Sequence, residues 1–125
     1  MKIEKQFKVI IAGTRTFKDY SLLCETADRL LVEKAKAGHS IIIVSGGCVG
    51  ADLMGEQYAK ERGYGVERYP AEWEKYGKKA GIMRNAVMAD NADALIAYWD
   101  GISRGTKNMI DEARKKGLAV RVKRY

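Results

Sequence analysis

Residues 39–55, HSIIIVSGGCVGADLMG, set an unbroken run of β-forming side chains directly against a glycine cluster, and a helical pattern follows. Ile and Val without polar alternation suit a strand covered on both faces, which belongs in a parallel sheet flanked by helices. The rest of the chain repeats the unit. Apolar runs predict strands at Lys8–Ala12, Ser40–Ser45, Gly65–Tyr69, Ala94–Trp99 and Leu118–Lys123. Apolar residues at three- and four-residue steps predict helices at about Ser21–Ala37, Ala51–Arg62, Lys78–Ala89 and Thr106–Lys116. Gly38, Gly63 and Gly117 stand just past three of these helices, where glycine commonly ends one. Pro70, the only proline, stops the third strand. The alternation predicts an α/β fold: a Rossmann-like three-layer αβα sandwich with a five-stranded, mostly parallel sheet and four helices. With 125 residues, one domain over 1–125 is expected.

Composition closes off several classes. Apolar content of 46% with 31% charged residues reads as globular. The longest apolar run is about five residues, against the roughly 20 that a membrane span needs. The start, MKIEKQFKVIIAG, carries charges where a signal peptide is apolar, so no targeting segment is read and a cytoplasmic location is expected. Cys24 and Cys48 are far apart and have no histidine near them; a structural zinc site is discarded and two reduced thiols are expected. No cofactor is expected either. The net charge of +7 invites an anionic partner, with dense basic stretches at 74–85 and in the tail RVKRY.

In an open parallel sheet, ligands bind beyond the carboxyl ends of the strands, near a switch in strand order. The loops predicted there are long, polar and glycine-rich: GTRTFKDY, GGCVGAD, PAEWEKYGKK and DGISRG. The opposite joints are short, and the single histidine, His39, falls on that far rim. Gly46, Gly47 and Gly50 allow close backbone approach, and their amides with the start of the second helix are expected to face an anion. Gly13, Thr14 and Arg15 follow the first strand, and Arg15 suits a bidentate phosphate grip. Gly101, Gly105 and Thr106 form a second glycine-rich turn, with Thr106 expected to cap the helix and offer its hydroxyl. Arg84 and Asn85 join the site if the third helix faces this rim. Asp52 either complements the helix dipole or binds a ribose hydroxyl, and Trp73 or Tyr76 can stack on a base. The dinucleotide pattern would need glycine at Ser45, and GISRGTK only superficially matches a Walker A loop, so NAD(P) and ATPase readings are set aside. No nucleophile–base–orienter set is evident.

The ordered set AGTRTFKDY, IVSGGCVGADLMGEQYAKERG and YPAEWEKYGKKAGIMRNAVMADNADALIAYWDGISRGTKNMIDEARKKG resembles the YspA/cpYpsA-related branch of the SLOG superfamily. That superfamily also holds DprA/Smf and the LOG phosphoribohydrolases. The resemblance runs over about residues 7–122. It implies a Rossmann-like fold, recognition of nucleotides or nucleotide-derived ligands, and a homo-oligomer. By position, Ser45, Gly46, Gly47, Gly50, Ala51 and Asp52 match the first glycine-rich motif, Gly105 and Thr106 the second, and Arg84 an arginine of the LOG enzymes. Met109 stands where those enzymes carry the glutamate that cleaves the N-glycosidic bond.

Three functional expectations follow. The first is a sensor or effector module that binds a phosphate-containing, nucleotide-derived small molecule. The second is a nucleotide N-glycosidase drawing on Arg84, Asp52 or Asp100. The third, ranked last, is a DprA-like binder of single-stranded DNA, since the basic residues are not interleaved with aromatics in a stripe.

Overall fold

The computed structural model describes residues 5–125. Five strands form one sheet in the order β3-β2-β1-β4-β5, every pair parallel. They are β1 (Gln6–Gly13), β2 (Ser40–Ser45), β3 (Gly65–Arg68), β4 (Ala94–Trp99) and β5 (Ala119–Arg124). The long helices are α1 (Tyr20–Lys36), α2 (Ala51–Arg62), α4 (Ala80–Asp90) and α5 (Arg104–Lys115), with a one-turn helix α3 (Trp73–Tyr76) ahead of α4.

Period-two alternation along the strands builds two cores. Val9, Ile11, Ile43, Ile96 and Tyr98 point to the face covered by Leu23, Ala27 and Leu31 of α1 and Ala51, Tyr58 and Ala59 of α2. Their neighbours Ile10, Ala12, Val44, Leu95 and Ala97 meet Met88 and Ala89 of α4 and Met109, Ile110 and Ala113 of α5. This makes the three layers, and explains why β2 and β4 read as continuous apolar runs.

The strand order reverses between β1 and β4. One half of the chain winds to β2 and β3, the other to β4 and β5, so the loops after β1 and β4 diverge and leave a crevice at their carboxyl ends. There Thr14 ties the halves together: its amide donates to the Tyr98 carbonyl at 2.9 Å, and its Oγ1 accepts the Asp100 amide at 3.2 Å.

Two elements differ from the sequence expectation. The segment ahead of α4 contains α3 and a 3-10 turn at Gly77–Lys79, too short for any apolar period to register. Helix α5 starts at Arg104 rather than Thr106. Asp100 Oδ1 accepts the amides of Ile102 and Ser103, each at 2.8 Å, and this turn delivers Ser103 as the cap.

Candidate functional site

A cleft of about 290 Å³ opens at the switch point. Gly13 lies at its base: a side chain there would strike the Tyr98 carbonyl and come within 2.8 Å of Ala51 Cβ, so β1, β4 and α2 converge on bare backbone. The turn after β2 forms one wall through Cys48 and Asp52, and the first turn of α5 forms another through Ser103, Gly105 and Thr106.

Helix α4 ties these walls together with two consecutive residues. Arg84 Nη1 donates to the Gly46 carbonyl at 2.8 Å, and Asn85 Nδ2 reaches the Gly105 carbonyl at 3.4 Å and Asn108 Oδ1 at 2.9 Å. Arg84 Nε also donates to Asn85 Oδ1 at 3.0 Å, which makes the pair one unit. The two glycine-rich turns, 50-odd residues apart in the chain, therefore face each other across one cavity.

Four cations line it, Arg15, Lys78, Arg84 and Arg104, against one carboxylate, Asp52. The apolar lining comes from Trp73, which is half-exposed, from Ile82, and from the buried Met88 and Met109 at the floor. Met109 is 1% exposed, so its thioether is buried beneath the cleft.

The turn after β2 is less bare than its glycines suggest. The Gly47 amide donates to Ser45 Oγ at 3.0 Å, and the Cys48 amide reaches Asp52 Oδ2 at 3.4 Å. Ser45 in turn donates to Glu56 Oε2 at 2.6 Å, and Glu56 is paired with Arg68 at 2.6 Å. The glycines serve close packing: a side chain at Gly46 would lie 2.6 Å from Arg84 Nη1, one at Gly47 3.2 Å from Arg68, and one at Gly50 2.6 Å from the Thr14 carbonyl. Two amides of this turn, those of Gly47 and Cys48, are thus taken by the protein's own oxygens.

The first turn of α5 also has open amides. Ser103 Oγ accepts the Thr106 amide at 3.3 Å and lies 3.1 Å from the Thr106 hydroxyl, so Ser103 is the cap and Thr106 a buried residue inside the helix, correcting the expected assignment. The first amides of a helix have no intrahelical acceptor and sit at the positive end of its dipole. Those of Arg104 and Gly105 find none among the described residues. A side chain at Gly105 would meet nothing within 4 Å. Gly105→Ala should therefore gain about 0.5–1 kcal/mol of stability as a helix substitution, read as a higher Tm, while narrowing the cavity.

The remaining candidates lie apart from the cleft lining. Asp100 is turned into its own loop, and its carboxyl is held below the usual range by the Ser103 and Ile102 amides. Gly101 is covered by the Arg124 guanidinium. Thr14, Ser45 and Ala51 are buried beneath the turns. Tyr76 lines a separate cavity with Pro70 and Met83. Cys24 and Cys48 are unbridged. The sequence reading missed Lys78, Ile82, Arg104 and Met88 as individual lining residues. The basic stretch at 74–85 and the Ser-Arg-Gly turn were the signals for two of them.

Asp52 is the exceptional group: 5% exposed, with its carboxyl pushed up to about 6 by burial, against the opposing pull of the Cys48 amide and the Arg84 charge.

An all-parallel sheet in this order, with helices on both faces, defines a Rossmann-like α/β fold. The family model of YAcAr, the YspA, cpYpsA-related SLOG family, matches residues 7–76. The Gene 61 protein of Mycobacterium phage D29 is 35% identical over 119 residues, which span 90% of this chain and 93% of that one. The chain belongs to the YspA, cpYpsA-related SLOG family. Among solved structures, DNA processing protein A from Streptococcus pneumoniae superposes with a TM-score of 0.69 at 14% identity, over 94% of this chain and 50% of that chain. DNA processing protein A from Helicobacter pylori, solved for its single-stranded DNA binding mode, gives a TM-score of 0.66 at 23% identity, over 94% of this chain and 65% of that one. TM1055 gives 0.65 at 24% identity, over 92% and 72%. At these identities the likeness concerns the fold, and this chain spans only half to about two-thirds of the two DNA processing proteins.

Proposed function

We propose that this protein binds a phosphate-containing, nucleotide-derived small molecule in the switch-point cleft and acts as a sensor or effector module. One observation carries the reading. Arg84 and Asn85 hydrogen-bond the carbonyls of Gly46 and Gly105, so both glycine-rich turns border a single cavity with four cations on its wall. Phosphate lies against the Arg104 and Gly105 amides, where the helix dipole contributes about 0.3–1 kcal/mol at an exposed site. Arg104 and Lys78 add charge, and the half-exposed Trp73 offers a face for a base.

A binding role fits the lining better than N-glycoside hydrolysis. Among the described residues Asp52 is the one carboxylate on the cleft wall, and the family resemblance puts Met109, a residue with no acid–base group, where LOG enzymes carry their glutamate. We keep the homo-oligomer as an expectation of the family resemblance.

The test is a thermal-shift series with AMP, ADP-ribose and related nucleotides. A ligand at 100 times its Kd stabilises by about 2.7 kcal/mol, a rise of several degrees in Tm. Arg104→Glu and Gly105→Ala should each abolish the rise while leaving the unliganded protein folded. A flat response to every phosphate-bearing nucleotide at millimolar concentration would contradict the reading.

A further inference from the structure

The wall after β2 presents a carboxylate where a phosphate loop would present amides. Asp52 lines the cleft, yet no Lys or Arg nitrogen lies within 4.0 Å of its oxygens among the described residues. The Cys48 amide reaches it at a long 3.4 Å, and the Gly13 amide also acts on it. An ionised carboxylate accepts at about four lone-pair sites and donates none. Acceptor capacity is therefore left for a donor in the cleft, and a second anion beside this buried charge is repelled in a medium of low dielectric. A phosphate is excluded from this wall and directed to the α5 turn.

Asp52 lines the same cavity as Trp73, Arg84 and the α5 turn. The place where a Gly46 side chain would begin is 2.6 Å from Arg84 Nη1 and 2.8 Å from Asp52 Oδ2. Beyond Arg84, the corresponding point at Gly81 lies 3.1 Å from the Trp73 ring and 3.9 Å from Arg84 Nη2. Asn85, bonded to Arg84, leads from there to the α5 turn through the Gly105 carbonyl. In a nucleotide the group between base and phosphate is the sugar, and its hydroxyls are neutral donors.

We propose that Asp52 is the specificity residue of this cleft: it accepts hydrogen bonds from the hydroxyls of a ribose and selects ribonucleotide-type ligands over deoxy sugars. The inference rests on the nucleotide reading above. A DNA strand, which lacks the 2′-hydroxyl and has its 3′-oxygen esterified, offers this carboxylate no donor.

The experiment is calorimetric titration of the wild-type protein and Asp52→Asn with AMP and with 2′,3′-dideoxy-AMP at pH 7.5. The wild type should bind AMP about 10- to 100-fold more tightly than the dideoxy compound, the range of a hydrogen bond to a charged group. Asp52→Asn should lose that preference while binding the dideoxy compound at least as well as the wild type does, because the repelling charge is gone. Equal binding of both compounds by the wild type overturns the proposal and leaves the phosphate site standing. A preference retained by Asp52→Asn also overturns it. Binding of neither compound by the wild type overturns the proposal, and the reading on which it rests falls with it when the thermal-shift series above is also flat.

Discussion

Gly50→Ala is expected to lower Tm by on the order of 10 °C. Two costs coincide. Gly50 has φ +89° and ψ −132°, a region that side-chain-bearing residues avoid at about 1–3 kcal/mol. The new methyl would also sit 2.6 Å from the Thr14 carbonyl and 2.7 Å from that of Arg15, and overpacking of this kind costs a further ~1–3 kcal/mol. Those carbonyls are backbone of the β1 loop, which cannot rotate aside. Gly63→Ala is the control. Its φ is also positive, at +74°, but a methyl there meets nothing within 4 Å, so about 1 kcal/mol is expected. Thermal melts of the pair compare a strained and crowded glycine with an uncrowded left-handed one, at ψ −132° and +24°. Equal losses would show that the two loops do not press together as described.

Asp52→Asn is expected to raise stability at pH 8, which is unusual for a buried polar site. Burial pushes the carboxyl up to about 6, so the native state holds the proton more tightly than the unfolded chain, whose value is near 3.9. The native state then binds more protons between those two values, and stability falls as pH rises through them. The contribution is full below about pH 4 and lost above about pH 6, a cost on the order of 2–3 kcal/mol at pH 8. Arg84 lessens that cost and Glu56 adds to it. The asparagine does not ionise and keeps an oxygen for the Cys48 amide. The difference in Tm between variant and wild type should be several degrees at pH 8 and close to nothing at pH 4. A variant less stable than the wild type at pH 8 would mean that the native carboxylate is better compensated than its surroundings indicate.

The layers were readable because strand period and burial coincide. Ile41 to Val44 could only be a strand covered on both sides, and all four are buried. The two glycine-rich turns could be assigned to one rim because parallel strands put all their carboxyl ends on the same side. Three features were not readable. Helix α3 is a single turn, shorter than any period. The start of α5 depends on Asp100 bonding the Ser103 amide, a local bond that competes with the Thr106 cap on nearly equal chemistry. The occupation of the Gly47 and Cys48 amides depends on two side chains folding over the turn, Ser45 from two residues before Gly47 and Asp52 from four residues after Cys48. Glycine content marks where the backbone is approached closely. It does not say whether the approaching group is a ligand or, as at Gly46, the protein's own Arg84.

The most direct measurement is a ¹H–¹⁵N correlation spectrum of the protein titrated with ADP-ribose. The account predicts that the Arg104 and Gly105 amides shift furthest, that the Trp73 indole responds, and that Gly63 and Gly117 at the opposite end of the sheet stay in place. Saturating ligand that leaves Arg104 and Gly105 unmoved, or shifts confined to the β5 edge, would contradict it.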